Sequence, residues 1–451
     1  MDSQPPLVSP PRLAWVIAVA LTGLLLAIFL GLPRGDGFTP GHRTLLSHIA
    51  VYDPSTGGVE QDRDLLWQDG RIAAVAPGGS LDAAGGLGLD CRGFCAMPAL
   101  ADAAVFLSLE GRYPGDSVPA GPEQSLRLQA ASGMGGVLDL NASRAFMHLA
   151  RALDGVLPRV RFAGALFTAP GGWRALGQAP WDSHIVEVQE EDDLYAPWSR
   201  ALRFQDQAVF ASVEDEGRDG LSIPLPVLAR LGALAHERGL PFIVQANHAS
   251  KALTALDAKP DAMLGPLFNL DEAPGLPQAM RRAGCAYIPA LGSVLNAYAP
   301  APLGAWLRSF PAAQALGATV LAQADEPQAA GLWLMHWTRQ GIDPATVRLA
   351  AKGMADAGVR IVFGTGSGLP LVFHGLGAQA EVALLLQAGL SPRQILESAT
   401  LNSHALAGLE GGSLRKGDPA DVLLVSGDPV RDASVATHPV RVFLGGVETA
   451  P

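Results

Sequence analysis

The most apolar long run in the chain lies near its start. Leu13 to Leu32 reads LAWVIAVALTGLLLAIFLGL without a charged residue. At a rise of ~1.5 Å per residue such a run covers ~30 Å, the thickness of one hydrocarbon core. Arg12 precedes it, and Pro33, Arg34 and Asp36 end it. A signal-peptide core is only ~7–15 residues and is followed by a small-residue cleavage pattern. This run is longer, and neither A-x-A nor a lipoprotein cysteine follows it. It is read as one N-terminal transmembrane helix, an uncleaved signal anchor over 13–32, with a cleaved signal as the alternative. Arg12 faces Arg34 and Arg43 across the segment, so the positive-inside bias is weak. The expected arrangement is a cytoplasmic tail (1–12) and a periplasmic or otherwise extracytoplasmic body. No later run is both long and apolar enough to span again.

Two patterns follow. From Leu46 to Tyr52 apolar and polar positions alternate, and Asp53-Pro54 breaks the run. Asp64 to Trp67 leads to Asp69-Gly70, a hairpin signal, and then to Arg71 to Val75, which predicts a small antiparallel unit. From Cys95 onward short apolar strands alternate with helical stretches. The strands are expected at Gly136–Leu140, Val160–Phe167, Ala208–Val213, Phe242–Ala246, Tyr287–Leu291 and Val359–Phe363. Between two of them Val227, Leu228, Leu231, Leu234 and Ala235 share one helical face, with Gly239 at the C-terminal cap. Ser391, Pro392 and Gln394 form the signature of a capping box. Strand–helix alternation of this kind predicts parallel βα units, and the length favours a closed barrel. The tail returns to short strands at Asp421–Ser426 and Val440–Leu444.

Composition narrows the classes. The chain has 451 residues, 49% hydrophobic and 17% charged, which excludes wholesale disorder. The net charge is −11 with no basic run, which argues against nucleic acid as a partner. Cys91 and Cys95 are spaced C-x-x-x-C, neither a zinc knuckle nor a thioredoxin motif. They are read either as a disulfide across Arg92-Gly93 or as two buried thiols, and Cys285 as a core residue.

The body resembles the amidohydrolase superfamily, in particular its imidazolonepropionase-like and prolidase-like members. CRGFCAMPALADAAVFL (Cys91 to Leu107) resembles the approach to barrel strand one, which usually ends L-P-G-L-I-D-x-H-x-H. FTAPGGW (Phe167 to Trp173) resembles a strand-three loop, PFIVQANHASKALTALDAKPDAML (Pro241 to Leu264) strands five and six, and IVFGTGSG (Ile361 to Gly368) strand eight, usually G-T-D-S. The segment from Ala388 to Pro429 resembles the last helix and the return to a β domain. The resemblance implies an α/β fold: a (β/α)8 TIM-like barrel over 96–411, and a small β-sandwich composite domain from 37–95 with 412–451. It also implies metal-assisted hydrolysis by zinc or another divalent ion. The usual ligands are two strand-one histidines, a strand-four carboxylate or modified lysine, one histidine each from strands five and six, and a strand-eight aspartate that also accepts the proton.

The chain departs from that ligand set. With Asp102 and Leu107 fixing the register, the strand-one histidines fall on Ala104 and Phe106. The strand-five position falls on Gln245, strand six on Gly265 and strand eight on Gly366, beside Thr365. No lysine precedes Lys251, and the strand-three histidine position holds Trp173. Zinc takes imidazole, thiolate or carboxylate donors, and Ala, Phe and Gly offer none. The expectation is therefore no metal and no cofactor, with Phe106, Trp173 and Thr365 lining a more apolar mouth.

Other candidates are Asp139 near the end of strand two, His248 past strand five, and Glu214 with Asp215 and Glu216 after strand four. Each also has a plain reading: a structural hydrogen bond for Asp139, solvent for His248, a solvated loop for the acids, and packing or capping for His236. The glycines around Thr365 lack the dinucleotide and P-loop endings, and no G-x-S-x-G elbow occurs. Three functions follow. The leading one is a membrane-anchored pseudoenzyme that binds a small-molecule ligand or a protein partner in the envelope. The second is an active hydrolase of C–N bonds with a relocated or metal-free site. The third is a structural subunit paired with an intact homologue.

Overall fold

A computed structural model describes residues 43–109, 111, 121–142, 144–153, 157–172, 185–214, 222–298, 303–310, 313, 331, 334–335, 337–338 and 341–449. The expected anchor at 13–32 lies outside them. Among the described residues no helix is long and apolar enough to cross a membrane.

The first strands are β1 (Arg43–Asp53), β2 (Gly58–Gln68), β3 (Arg71–Pro77), β4 (Leu87–Asp90) and β5 (Phe94–Pro98). β1, β2 and β3 run antiparallel, whereas β4 and β5 lie parallel to β1. The β2–β3 turn is as the sequence predicts: Asp69 (φ +53°) and Gly70 (φ +74°) both take the left-handed conformation of a type I′ hairpin. Cys91, Cys95 and Cys285 are all buried free thiols, so no bridge forms across Arg92-Gly93.

The parallel part consists of β6 (Leu100–Val105), β7 (Met134–Asp139), β8 (Arg159–Phe162), β9 (Leu166–Thr168), β10 (Ile185–Glu187), β11 (Val209–Ser212), β12 (Phe242–Gln245), β13 (Ala262–Leu264) and β14 (Ala286–Ile288). β6-β7-β8 form one sheet and β10-β9-β11-β12-β13-β14 another. The run expected as one strand over Val160–Phe167 is split between β8 and β9. Gly164 sits there at φ +70°, a left-handed value that interrupts a strand. Residues 359–363 form no named strand, yet their amides link both edges. Val362 N donates to Tyr287 O (2.8 Å) and Tyr287 N to Arg360 O (2.9 Å). On the other side Ala103 N donates to Phe363 O (2.9 Å) and Gly366 N to Ala104 O (2.8 Å). Gln207 N donates to Phe162 O (2.7 Å) where β8 gives way to β9. The parallel hydrogen bonding thus runs in a circuit.

Side chains alternate round this circuit. Ala103, Leu138, Phe210, Ile243, Ile288 and Val362 pack into an inner cluster. Their strand neighbours Val137, Val209, Val244, Tyr287 and Phe363 pack outward with the helices. A period of two with both faces buried is the mark of a parallel sheet covered by helices. The helix Leu225–His236 buries Val227, Leu228, Leu231 and Ala235 as expected. Its C-cap is Glu237, so Gly239 (φ +66°) lies just past the cap. Ser391 and Gln394 make the reciprocal capping box, with Pro392 opening the helix Pro392–Glu397.

The last strands are β15 (Val422–Ser426), β16 (Arg441–Leu444) and β17 (Val447–Thr449), the last not foreseen. β15 pairs with β5 from Val422↔Pro98 to Ser426↔Phe94. β5 is thus hydrogen-bonded on both edges, to β1 and β15. The two ends of the body thus share one eight-stranded sheet, and it folds back on itself, because β2 and β16 are four strands apart in it yet their side chains touch. Trp67 and Phe443 meet across it at 5.1 Å between ring centroids.

An ion pair ties this sheet to the parallel unit. Arg159 of β8 pairs with Asp421 and donates to Glu410 O at 3.0 Å. Asp421 also accepts from Gly445 N at 2.8 Å. Asp421 is buried, so removing its side chain strands both the guanidinium and the amide. Asp421→Ala is expected to cost about 3 kcal/mol of unfolding free energy by urea denaturation. Arg127→Ala, which breaks an exposed i,i+4 pair with Glu123, is expected to cost less than about 0.5 kcal/mol.

Candidate functional site

β6 ends at the rim of the circuit with Ala104, Val105 and Phe106, all buried. Asp102, two residues earlier, is fully buried and turned toward the neighbouring segment. It accepts from Ala104 N (3.1 Å), Thr365 N (3.0 Å) and Thr365 Oγ1 (2.6 Å). Thr365 Oγ1 lies 2.6 Å from Ser367 Oγ and accepts from Ser367 N at 2.9 Å. Burial pushes the Asp102 carboxyl up to about 7, although all three donors pull the other way. Asp102 and Thr365 are thus consumed in a strand-one to strand-eight lock. Thr365 is buried in that lock rather than lining an open mouth.

The rim positions are filled or closed. Ala104 and Phe106 belong to the inner apolar cluster with Leu369 and Val372, and Phe106 meets Phe210 edge to face at 6.3 Å. Gly366 sits at φ +71°, which strains any other residue, and a Cβ there would lie 3.2 Å from Leu369. At Gly265 a Cβ would lie 2.7 Å from both Tyr287 Oη and Leu267 N. Tyr287 Oη accepts from that same Leu267 N at 2.9 Å. A side chain at 265 cannot enter without displacing this bond. Gln245 ends β12 and donates through Nε2 to Asn247 Oδ1 at 3.4 Å.

Of the other candidates, the fold brings Glu214 and His248 together. His248 is partly buried, not a solvent loop residue, because Glu214 and Phe268 hold it at the start of the helix Ala249–Ala255. Glu214 Oε1 accepts from Asn247 N (2.6 Å) and His248 N (3.3 Å). Its Oε2 lies 3.3 Å from His248 Nδ1 and accepts from Lys251 Nζ at 3.4 Å. Burial alone would raise the Glu214 pKa. His248, Lys251 and the Asn247 amide outweigh it and hold the carboxyl below its ordinary value. Glu214 is therefore a buried, ionised anchor and not part of a solvated loop. Asp139 is not in this group. It is buried and accepts from Asn141 N (2.9 Å) and Leu107 N (3.3 Å), with burial pushing it up to about 7. This is the structural reading. His236 pairs with Asp261 at 3.0 Å at the other end of the strands. Trp173, Asp215 and Glu216 lie outside the described residues.

Some residues at this end carried no sequence signal. Lys251 joins Glu214 only through the turn into its helix. Asn247 Nδ2 and Thr168 Oγ1 are buried without a hydrogen-bond partner among the described residues. Glu381 had a visible signal, being the lone acid of the apolar helix Leu376–Gln387. Its two oxygens accept from Leu291 N and Gly292 N, both at 2.9 Å, and burial raises it to about 8. It caps a helix start and faces no open space.

Residues 129–448 match the amidohydrolase family. The chain belongs to this family. The solved structures it resembles agree on the fold. A Xaa-Pro dipeptidase with methionine bound in its active site is 18% identical, with a TM-score of 0.71 over 91% of this chain and 100% of that one. A putative prolidase from Bifidobacterium longum is 20% identical, with a TM-score of 0.67 over 91% and 95%. An A. niger ochratoxinase is 16% identical, with a TM-score of 0.65 over 91% and 96%. At such identities the likeness shows the TIM-barrel-like α/β fold alone. No curated protein sequence matches. Family members normally use a divalent metal. The side chains at Ala104, Phe106, Gln245, Gly265 and Gly366 do not fit that group. Among the described residues no three His, Cys, Asp or Glu side chains gather as a metal-binding set.

The Asp102 lock makes a pH-dependent contribution. Its folded pKa of about 7 exceeds the ordinary 3.8. The acid form therefore stabilises the fold fully below about pH 4, and that stability fades as pH rises towards 7. Asp102→Asn keeps an uncharged side chain at every pH. Its stability relative to wild type is expected to rise between about pH 4 and 7 and then level off, read from urea midpoints across that range. A difference that stays flat from pH 4 to 8 would sink the idea.

Proposed function

We propose that this chain is a metal-free amidohydrolase-family protein, anchored in a membrane by residues 13–32, that binds a polar small-molecule ligand in place of hydrolysing one. The carrying observation is the joint replacement at Ala104, Phe106, Gln245, Gly265 and Gly366, with the vacated volume taken by apolar contacts and by Tyr287. A catalytic metal needs about three protein donors at the mouth, and these positions supply none. Asn247 Nδ2 and Thr168 Oγ1, buried near the strand ends without partners among the described residues, support a polar ligand there. In this reading the circuit is the eight-stranded barrel of 96–411, and 37–95 with 412–451 form the composite β domain. The body faces the periplasm or exterior, and a protein partner or an intact homologous subunit is the other occupant of this class.

The test is elemental analysis of the full-length chain in neutral detergent after zinc and manganese loading. Less than about a tenth of an equivalent is expected. About one equivalent, removable by chelator, would overturn the metal-free reading.

One observation favours a second reading, a metal-free hydrolase of C–N bonds. Glu214, His248 and Lys251 converge beyond β11 and β12, where the family places its chemistry. Against it, both Glu214 oxygens are already occupied by donors, which suits an anchor better than a base. Two of the similar structures are a Xaa-Pro dipeptidase and a putative prolidase, so Xaa-Pro dipeptides are the substrates to try. No proline release above blank is expected. Turnover that falls about 100-fold in Glu214→Gln would establish the second reading instead.

A further inference from the structure

The end of the parallel unit opposite the mouth carries a cavity of about 600 Å³. Its lining includes Arg161, Arg360, His236, Asp261, Leu240 and Leu406. These residues mark the floor, because Leu240 precedes β12, Asp261 precedes β13 and Arg360 opens the segment that bonds to β14. The altered ligand positions all lie at the far ends of the same strands.

Strand alternation aims both arginines at this space. Ala163 and Val362 belong to the inner cluster. Arg161 and Arg360 lie two residues before them on the same segments, so they share the inner side. Arg159, a further two residues back, already has Asp421 as its counter-ion. The guanidinium groups of Arg161 and Arg360 form no hydrogen bond or ion pair with another described residue. The lining's one carboxylate is committed elsewhere: Asp261 Oδ2 accepts from Phe242 N at 2.8 Å and lies 3.0 Å from His236 Nε2. In a chain of net charge −11, two inward guanidinium groups with no such carboxylate of their own make a locally positive hollow. Like charges held at one cavity repel unless an anion lies between them.

We propose that the floor cavity binds a small phosphate-bearing metabolite, its phosphate between Arg161 and Arg360 and its organic part against Leu240, Pro241 and Leu406. A guanidinium fork matches phosphate oxygens in two parallel bonds, and a dianion answers two such forks where one carboxylate does not. The volume lies within the ~300–1,000 Å³ of small-molecule sites, larger than inorganic phosphate needs. The apolar wall accounts for the remainder. This site does not depend on whether the mouth is catalytic.

The test uses the full-length chain in neutral detergent at low ionic strength, with inorganic pyrophosphate as the titrant in calorimetry. Saturable binding is expected, weakened at least about tenfold by Arg161→Met and by Arg360→Met, partly kept by Arg360→Lys, and unchanged by Arg230→Met, whose pair with Glu237 lies on the exposed helix surface. Arg360 is exposed, so its variants keep the test decisive even where Arg161→Met fails to fold. Three results would overturn the proposal: no saturable binding, equal binding by all variants, or malonate binding as tightly as pyrophosphate.

Discussion

Everything at the mouth hangs on the carboxyl of Asp102. Its three donors come from its own strand and from Thr365, so it joins the first parallel strand to the last. A circuit of strands needs one such seam where the chain's two ends meet, since no local connection holds them. Backbone bonds from Ala103 to Phe363 and from Gly366 to Ala104 run alongside it. A buried carboxyl with three donors is satisfied and rigid, whereas the same group with one donor removed is costly. The positions beside it can therefore change freely only so long as this seam holds. Ala104 and Gly366 flank the seam without polar side chains, and Asp102 and Thr365 form it.

The absence of metal donors at the proposed positions also bears on packing. Histidines and acids gathered without an ion leave desolvated, mutually repelling groups. Replacing them by alanine, phenylalanine and glycine removes that cost and adds apolar contact, as Phe106 does against Phe210. Gly265 and Gly366 go further. One position is blocked by Tyr287 and the other by its own backbone conformation, so neither accepts a ligand by a single substitution. The site is closed by its surroundings as well as by its residues. The remaining polarity lies at Glu214, whose donors come from the turn after β12 and the helix that follows it.

What the sequence disclosed follows the range of each interaction. The Asp69-Gly70 hairpin and the Ser391 capping box are local, and both appear where expected. The division of Val160–Phe167 was not legible, since it depends on one glycine taking a left-handed φ in a run that otherwise reads as one strand. Nor was the single sheet, because β5 receives β15 from the far end of the chain and no periodicity announces that pairing. His248 reads as a loop residue until the fold sets Glu214 beside it. Arg161 and Arg360 read as ordinary strand-flanking charges until the circuit turns both inward.

The two ends of the parallel unit thus differ in the sign of their change. At the mouth, Ala104, Phe106, Gly265 and Gly366 offer no charge, and the Glu214 cluster is internally neutralised by Lys251. At the floor, Arg161 and Arg360 remain, and neither guanidinium forms an ion pair with a described carboxylate. Elsewhere the same strand face resolves its charge: Arg159 has Asp421. A fold built for stability alone would give Arg161 a counter-ion as it gives Arg159 one. Retaining an unneutralised pair in an acidic chain points to a charge that arrives from outside.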